Sequence, residues 1–493
     1  MPLRHPFARV IRPLVVPSPP AARRGPARRA ARSLVSLVSL VSLAAAGAAL
    51  LAAAPLQAQS IASRYRSVAE RIIAEAIKDS SAWDRIALLT ETHGNRLSGS
   101  PALERAIDWV IAQMQADGLE NVKGEPVMVP RWVRGNESAE MILPRRAPLP
   151  MLGLGGSIGT PASGITAEVM VATSFADLEK RASEAAGKIV LFNFPWVDYG
   201  TTGAYRRQGA IAAAKAGALA SLIRSVTPYS MRTPHTGSMS YDPDVRKIPH
   251  AALTPEDADM IARMVQRGEK VVVKLTMEAR TLADAPSRNV MGEIRGSEFP
   301  DEVIVMGGHI DSWDVGRGAM DDAGGVVAAW EALRVLKRLG LTPKRTIRVV
   351  GWTNEENGMR GGNGYRDARK GELDNHILAI ESDGGVFKPL GFGFTGPDAA
   401  FARISEIGKL LDPIGAGKIT KGGGGADIGP IMALGVPGMG LNVEDSKYFW
   451  YHHTDADTVD KLDPREVAMC VASMAVMAYV VADMPERLRP TGH

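Results

Sequence analysis

Cysteine is nearly absent: the 493 residues contain one, Cys470. No disulfide can form within the chain, so it must be held by apolar cores or by a bound metal. Cys470 lies inside the apolar stretch "REVAMCVASMAVMAYVV" and reads as a small buried hydrophobe. Acidic residues are missing from the first 69 positions, the first being Glu70. After Ala54 no segment reaches 18 apolar residues, so the chain beyond that point is expected to be soluble. With 45% hydrophobic and 23% charged residues, the composition excludes a disordered or collagen-like chain. The length exceeds one ordinary core and points to more than one domain.

The charge excess is local. Eight arginines (Arg4, Arg9, Arg12, Arg23, Arg24, Arg28, Arg29 and Arg32) precede an apolar run from Ser33 to Ala54, which includes the repeat "LVSLVSLVSL". A basic segment, an apolar segment and the small-residue exit "LQAQ" have the form of a signal peptide, with cleavage expected after Ala58. The run is longer than most signal peptides, so an uncleaved anchor is the alternative. No cysteine stands near the exit, which excludes lipidation there, and the pair Arg28-Arg29 fits an ordinary leader as well as twin-arginine export. Removing residues 1–58 turns a net +4 into 50 basic against 54 acidic residues. The high pI of 9.0 therefore reports export to the periplasm or beyond. It gives no reason to expect a nucleic-acid partner, or a membrane once the leader is gone.

Beyond the leader, apolar residues three and four apart predict helices between 61 and 118, broken by the polar loop "THGNRLSGS". From 126 to 284 the chain changes to short strands ("GKIVLFNF", "KVVVKLTM") around an alanine-rich helix, the pattern of an inserted, β-rich unit. From 285 to the end, buried strands alternate with helices. Together with 59–125 this predicts an α/β domain, a mostly parallel, mixed sheet sandwiched by helices. The helix over 464–482 is read as core.

In such sheets functional groups collect at the carboxyl ends of the strands. The strand "EVIVMGGHIDS" delivers His309 and Asp311, and the loop after it Asp321 and Asp322. Successive elements deliver Glu355-Glu356, then Glu381 and Asp383, and finally His452-His453. Histidine with several carboxylates is a divalent-metal composition. Two histidines with three or four carboxylates carry too much negative charge for one zinc and suit two ions a few Å apart. His309 and Asp311, two apart on an extended segment, point to one side, so the histidine can ligate while the aspartate holds its other ring nitrogen. Of Glu355 and Glu356, which diverge, one can ligate and the other remain near the attacking water as a general base. Each element alone is common; their occurrence in order, each at a strand end, carries the reading.

The segments "GGHIDSWDVGRGAMDDAGG", "WTNEENG", "IESDGG" and "YHHTDADT" resemble the motifs of the dizinc exopeptidases that include bacterial aminopeptidases and glutamate carboxypeptidases, most closely the plasma glutamate carboxypeptidase branch. The resemblance spans about 61 to 482 and makes the middle unit similar to that family's protease-associated insert. It implies that His309 and Asp383 hold one zinc, that Glu356 and His453 hold the other, and that Asp321 bridges them. Glu355 would be the general base and Asp311 the helper beside the first histidine. Two places depart from the family pattern. His452 stands where some relatives carry an oxyanion-donating tyrosine, and in "KGGGGADIGP" Asp427 matches an aspartate while Ile428 replaces a histidine. His452 and Asp427 are therefore carried as oxyanion or substrate contacts.

The expected activity is exopeptidase hydrolysis of dipeptides or short peptides, of carboxypeptidase or dipeptidase type. An aminopeptidase on the same site is the alternative; a glutaminyl cyclase or a metal-free binding protein fits the intact ligand set less well. A carboxypeptidase needs a cation or amide donors for the terminal carboxylate, for which Lys421 and the backbone of 422–425 are candidates. His93, His235 and His250 read as loop or packing histidines. Homodimers are common among the proteins this chain resembles.

Overall fold

The computed structural model describes residues 59–489. The expected leader and its cleavage point lie outside them. Helices Ile61–Ala76, Ser81–His93 and Pro101–Ala116 form where the three-four spacing predicts them. In the third, Ser100 caps the Leu103 amide, Pro101 opens the first turn, and Leu103, Ala106, Ile107, Val110 and Met114 make the buried stripe.

An eight-stranded sheet runs in the order Glu120–Val133, Arg280–Ile294, Arg345–Trp352, Phe299–His309, His376–Glu381, Gly438–Val443, Pro389–Thr395, Lys418–Lys421. The four central strands, from Arg345–Trp352 to Gly438–Val443, are mutually parallel, and antiparallel pairings flank them. After Phe299–His309 the chain crosses to one neighbour, Arg345–Trp352, and then back past it to the other, His376–Glu381. This reversal opens a crevice at the carboxyl ends of these strands, beside His309. The first three helices share one core with Gly324–Arg338 and Pro464–Asp483. Pro464–Asp483 is long and apolar enough to cross a membrane by composition, yet 83% of its apolar window is buried inside the protein. Cys470 is buried in it, as expected.

A second eight-stranded sheet takes its strands from Glu137 to Met277. Four of them, Ile165–Ala172, Ile189–Phe192, Ala220–Arg224 and His250–Leu253, are parallel, and helix Tyr199–Lys215 connects the second of these to the third. The expected boundaries at 126 and 284 fall inside Glu120–Val133 and Arg280–Ile294, which pair with each other along the edge of the first sheet. Alternation along a strand shows which residues are buried but not which sheet the strand joins, so the change of composition at 126 precedes the change of sheet.

Trp330 anchors the first core. It is fully buried, Arg85 lies 3.9 Å over its ring, Trp109 meets it edge-on, and its Nε1 donates to Asp117 at 3.0 Å. Trp330→Ala should cost about 3–5 kcal/mol of stability, read from urea or thermal unfolding.

Candidate metal centre

The strand Phe299–His309 carries two glycines before its terminal histidine. A Cβ on Gly308 would lie 2.0 Å from Asp322 Oδ2, so glycine lets that carboxylate reach under the strand. There Asp322 accepts from the His309 amide at 3.1 Å and the Gly325 amide at 2.9 Å. It ties the strand end to helix Gly324–Arg338, and its neighbour Asp321 faces the site.

The loop carrying Asp321 is held from two sides. Asp457 accepts from the amides of Ala319, Met320 and Asp321 at 3.0, 2.7 and 3.2 Å. Arg96, fully buried, donates to the carbonyls of Gly94, Ile310, Arg317 and Gly318 at 2.7–3.1 Å. Neither was singled out from the sequence. Asp457 stood within "YHHTDADT" and Arg96 within "THGNRLSGS", but nothing in either segment marked a residue whose partners are main-chain groups.

Two clusters meet at Asp321. Its Oδ1 lies 3.1 Å from His309 Nε2, which is 3.3 Å from Asp383 Oδ1. Its Oδ2 lies 3.3 Å from His453 Nε2, which is 3.0 Å from Glu356 Oε2. The five residues assigned by resemblance are thus brought together. Asp321 Oδ2 and Glu356 Oε1 are buried without a hydrogen-bond partner. Buried oxygens left unpaired are costly unless a cation meets them. Nitrogen and oxygen donors just over 3 Å apart match ligands held about 2.0–2.2 Å from a shared zinc. The ring tautomers agree. His309 Nδ1 faces the Asp311 carbonyl at 2.9 Å and His453 Nδ1 faces the Thr236 carbonyl at 3.3 Å, which leaves the ring's lone pair on each Nε2; that of His453 also accepts from Trp313 Nε1 at 3.2 Å. The residues fit a metal centre.

Asp311 differs from expectation. Its main-chain oxygen, not its carboxylate, meets His309 Nδ1; the nearer carboxylate oxygen is 3.9 Å away. The strand has ended at His309, so the side chain swings to the neighbouring loop. There it accepts from Ser98 Oγ at 3.1 Å and from the amides of Glu355 and Glu356 at 3.1 and 3.4 Å. It thereby sets the two glutamates apart. Glu356 enters the cluster, while Glu355 lines the cavity without belonging to either triad.

That cavity, about 460 Å³, is bounded by Asp321, Glu355, Glu356, Asp383, His452 and His453, and also by Tyr199, Arg206 and Ser238 from the inserted unit. Larger clefts of about 690 and 740 Å³ lie at the other end of the strands and on the inserted unit, and neither gathers these ligands. Without a cation, burial and the negative charges of Asp383, Glu356 and Asp321 hold Glu355 well above the usual carboxylate range. Burial and Asp321 push Glu356 to about 7. His309 and His453 are raised despite their burial, because carboxylates surround them. His452 stacks on His453, ring centroids 3.5 Å apart. Burial and the neighbouring His453 hold it well below the usual imidazole range, so it is neutral.

The remaining assignments are placed as follows. Asp427 is buried with both oxygens unpartnered and does not line the cavity; burial and Glu381 raise it. Glu381 accepts from the amides of Asp427 and Ile428, and a Cβ on Gly425 would strike its carboxylate, so this glutamate supports the glycine-rich loop. Lys421 is on the surface, paired with Asp398 at 2.7 Å. His93 packs against Trp109, and His250 contacts main-chain carbonyls of the inserted unit. His235 is no ligand, yet its Nδ1 lies 2.7 Å from the His452 carbonyl, and the Thr236 amide donates to the His453 carbonyl at 3.0 Å. The inserted unit thus grips the turn that presents both histidines.

The model of peptidase family M28 matches residues 289–479, the span that contains all five clustered residues. Together with the identities that follow, this places the chain in peptidase family M28, and it is a metallopeptidase of the exopeptidase type. It is 50% identical over 429 residues to carboxypeptidase Q of Xenopus laevis, covering 86% of this chain and 92% of that one. The human carboxypeptidase Q is 50% identical over 406 residues, covering 82% and 86%. A solved peptidase M28 precursor from Shewanella amazonensis SB2B superposes with a TM-score of 0.83 at 37% identity, over 87% of this chain and 99% of that one. An aminopeptidase from Aneurinibacillus sp. strain AM-1 shares the fold, with a TM-score of 0.61 at 22% identity and coverages of 85% and 97%.

Proposed function

We propose that the chain is an exported dizinc exopeptidase of carboxypeptidase or dipeptidase type, acting on short peptides. The observation that carries this reading is the sharing of Asp321 between two histidines, one oxygen toward His309 and the other toward His453, each of which meets a further carboxylate, Asp383 and Glu356. The name of its relatives, carboxypeptidase Q, supports the polarity, and the arginine-rich, apolar N-terminus supports export.

His309 and Asp383 would hold one zinc and Glu356 and His453 the other, bridged by Asp321. When bound, the zinc pair supplies the Lewis acidity that makes water a nucleophile near neutral pH and polarises the scissile carbonyl. Glu355, free of both triads and facing the cavity, takes the proton of the attacking water and passes it to the leaving nitrogen. The neutral His452 ring lines the same cavity and donates to the developing oxyanion. Asp311 keeps Glu355 in place through its backbone amide.

Elemental analysis of the purified protein tests the reading. About two zinc ions per chain are expected, and fewer than one would overturn it. N-terminal sequencing of exported protein should begin at Gln59.

A further inference from the structure

Trp313 stands between the metal centre and the inserted unit. It lies just beyond the strand end at His309, in the segment "GGHIDSW", and its ring is buried in the apolar core of the inserted unit with Leu97, Trp132, Leu152 and Met277. A Cβ on Gly155 would lie 2.0 Å from the six-membered edge of the indole, so only glycine lets the ring seat there. That wall is fixed in turn: the Gly155 amide donates to the Gly237 carbonyl at 2.9 Å, and its carbonyl accepts from the Met239 amide at 3.0 Å. The other edge of the indole faces the ligands. Its Nε1 donates to His453 Nε2 at 3.2 Å, with the ring centroids 5.6 Å apart. Trp313 also borders a gap of about 10 Å³ together with Asp321, Glu356 and His453. His453 Nδ1 faces the Thr236 carbonyl, so the ring's lone pair is on Nε2, the atom turned to Asp321 and Glu356. His309 has no such neighbour. Among the described residues its Nε2 meets only the carboxylate oxygens of Asp321 and Asp383.

We infer that the Trp313 indole N–H competes with zinc for the ligating nitrogen of His453 and thereby sets the zinc affinity of the Glu356–His453 position; this rests on the dizinc reading above. A ring nitrogen has one lone pair in its plane, so His453 Nε2 cannot accept from Trp313 and ligate a cation at once. Filling that position therefore costs the indole its acceptor, and a buried donor left without a partner shifts an equilibrium by about tenfold or more. The ring has no room to slide back and recover, because Gly155 closes its far edge. The two positions otherwise offer matching ligands: one histidine, one carboxylate of their own, and one oxygen of Asp321. Trp313 is the neutral donor that only one of them has to displace. It acts through His453 and is a positioning residue.

The test withdraws zinc stepwise from the zinc-saturated enzyme with a chromophoric chelator, reading the zinc released and the indole N–H resonances of protein labelled with nitrogen-15. Wild type should release its zinc in two steps, with the Trp313 signal, identified by its loss in Trp313→Phe, moving in the weaker step alone. Trp313→Phe keeps an aromatic ring in the inserted unit and removes the N–H, so it should tighten the weaker step by about tenfold and leave the stronger one unchanged. A weaker step that is unchanged or looser in Trp313→Phe would overturn the inference, since a merely structural role can only loosen the ligands when packing is lost. If Trp313→Phe does not yield soluble protein, wild type decides: none of the eight indole signals moving with the weaker step would overturn the inference. Release of both zincs from wild type in a single step would overturn it and leave the dizinc reading standing. Release of less than one zinc per chain from the saturated enzyme would overturn both.

Discussion

Glu355→Gln should lower kcat by about a thousandfold, within the range of ~10²–10⁴ that general acid–base catalysis contributes, while leaving zinc content and thermal stability near wild type. The expectation follows from the different places of two adjacent glutamates. Glu356 lies 3.0 Å from His453 Nε2 inside a triad; Glu355 shares the cavity wall but belongs to neither triad. The amide replacement preserves shape and the hydrogen bond from the Glu355 amide to Asp311, so only the proton acceptor is lost. Glu356→Gln should behave differently, releasing zinc and losing activity together. The acid limb of the wild-type kcat/KM profile reports protonation of Glu355 and should be missing from the residual rate of the glutamine variant. Turnover of Glu355→Gln within tenfold of wild type would remove Glu355 from the base role.

The ligand cluster was legible in the sequence because its members break apolar strands at the ends where the parallel sheet exposes them. A histidine or carboxylate closing a run such as "EVIVMGGH" has no packing reason to be there. Choosing Asp321 over Asp322 and His453 over His452 needed the family resemblance, since spacing alone treats neighbours alike. The structure supplies a physical reason for the first choice: the Asp322 carboxylate is spent on two backbone amides. What remained illegible works through the main chain or arrives from another unit. Arg96 binds four carbonyls and Asp457 three amides, and any sequence offers those groups everywhere. Arg206 and Thr236 reach the site only because the second sheet docks its loop against the His452-His453 turn, a contact across more than two hundred residues with no periodic signal. Lys421 looked suitable because it adjoins the glycine run, but proximity in sequence did not bring it into the cavity.

Chelation of the metal should abolish activity, with recovery on adding zinc, and should destabilise the fold more at pH 8 than at pH 5. The stripped centre buries carboxylates that have lost their counter-charge. Glu356 is pushed from an ordinary 4.5 to about 7 by burial and Asp321, and Glu381 to about 7 by burial and Asp383. A carboxyl group whose folded value lies above its unfolded one binds its proton more tightly in the native state. Its stabilising contribution is complete below about 4.5 and is lost as pH rises through about 7. His309 and His453, raised by the carboxylates around them, act in the same direction, since their contribution is complete below 6.5 and is lost at higher pH. Asp321 is held well below 3.8, where His309 and His453 outweigh its burial, so its contribution is unchanged between pH 5 and 8. Through these groups the metal-free protein weakens from pH 5 to pH 8; His235, His250 and His376, lowered by burial, act the other way below 6.5, but they do so in the loaded and the metal-free protein alike. In the loaded protein the cation keeps the ligands ionised and bound, and proton competition for them is weaker at pH 8. The gap in Tm between loaded and chelated protein should widen by several degrees over that interval in scanning calorimetry. A gap that is constant, or wider at pH 5, would mean that these carboxylates are not the groups the metal neutralises.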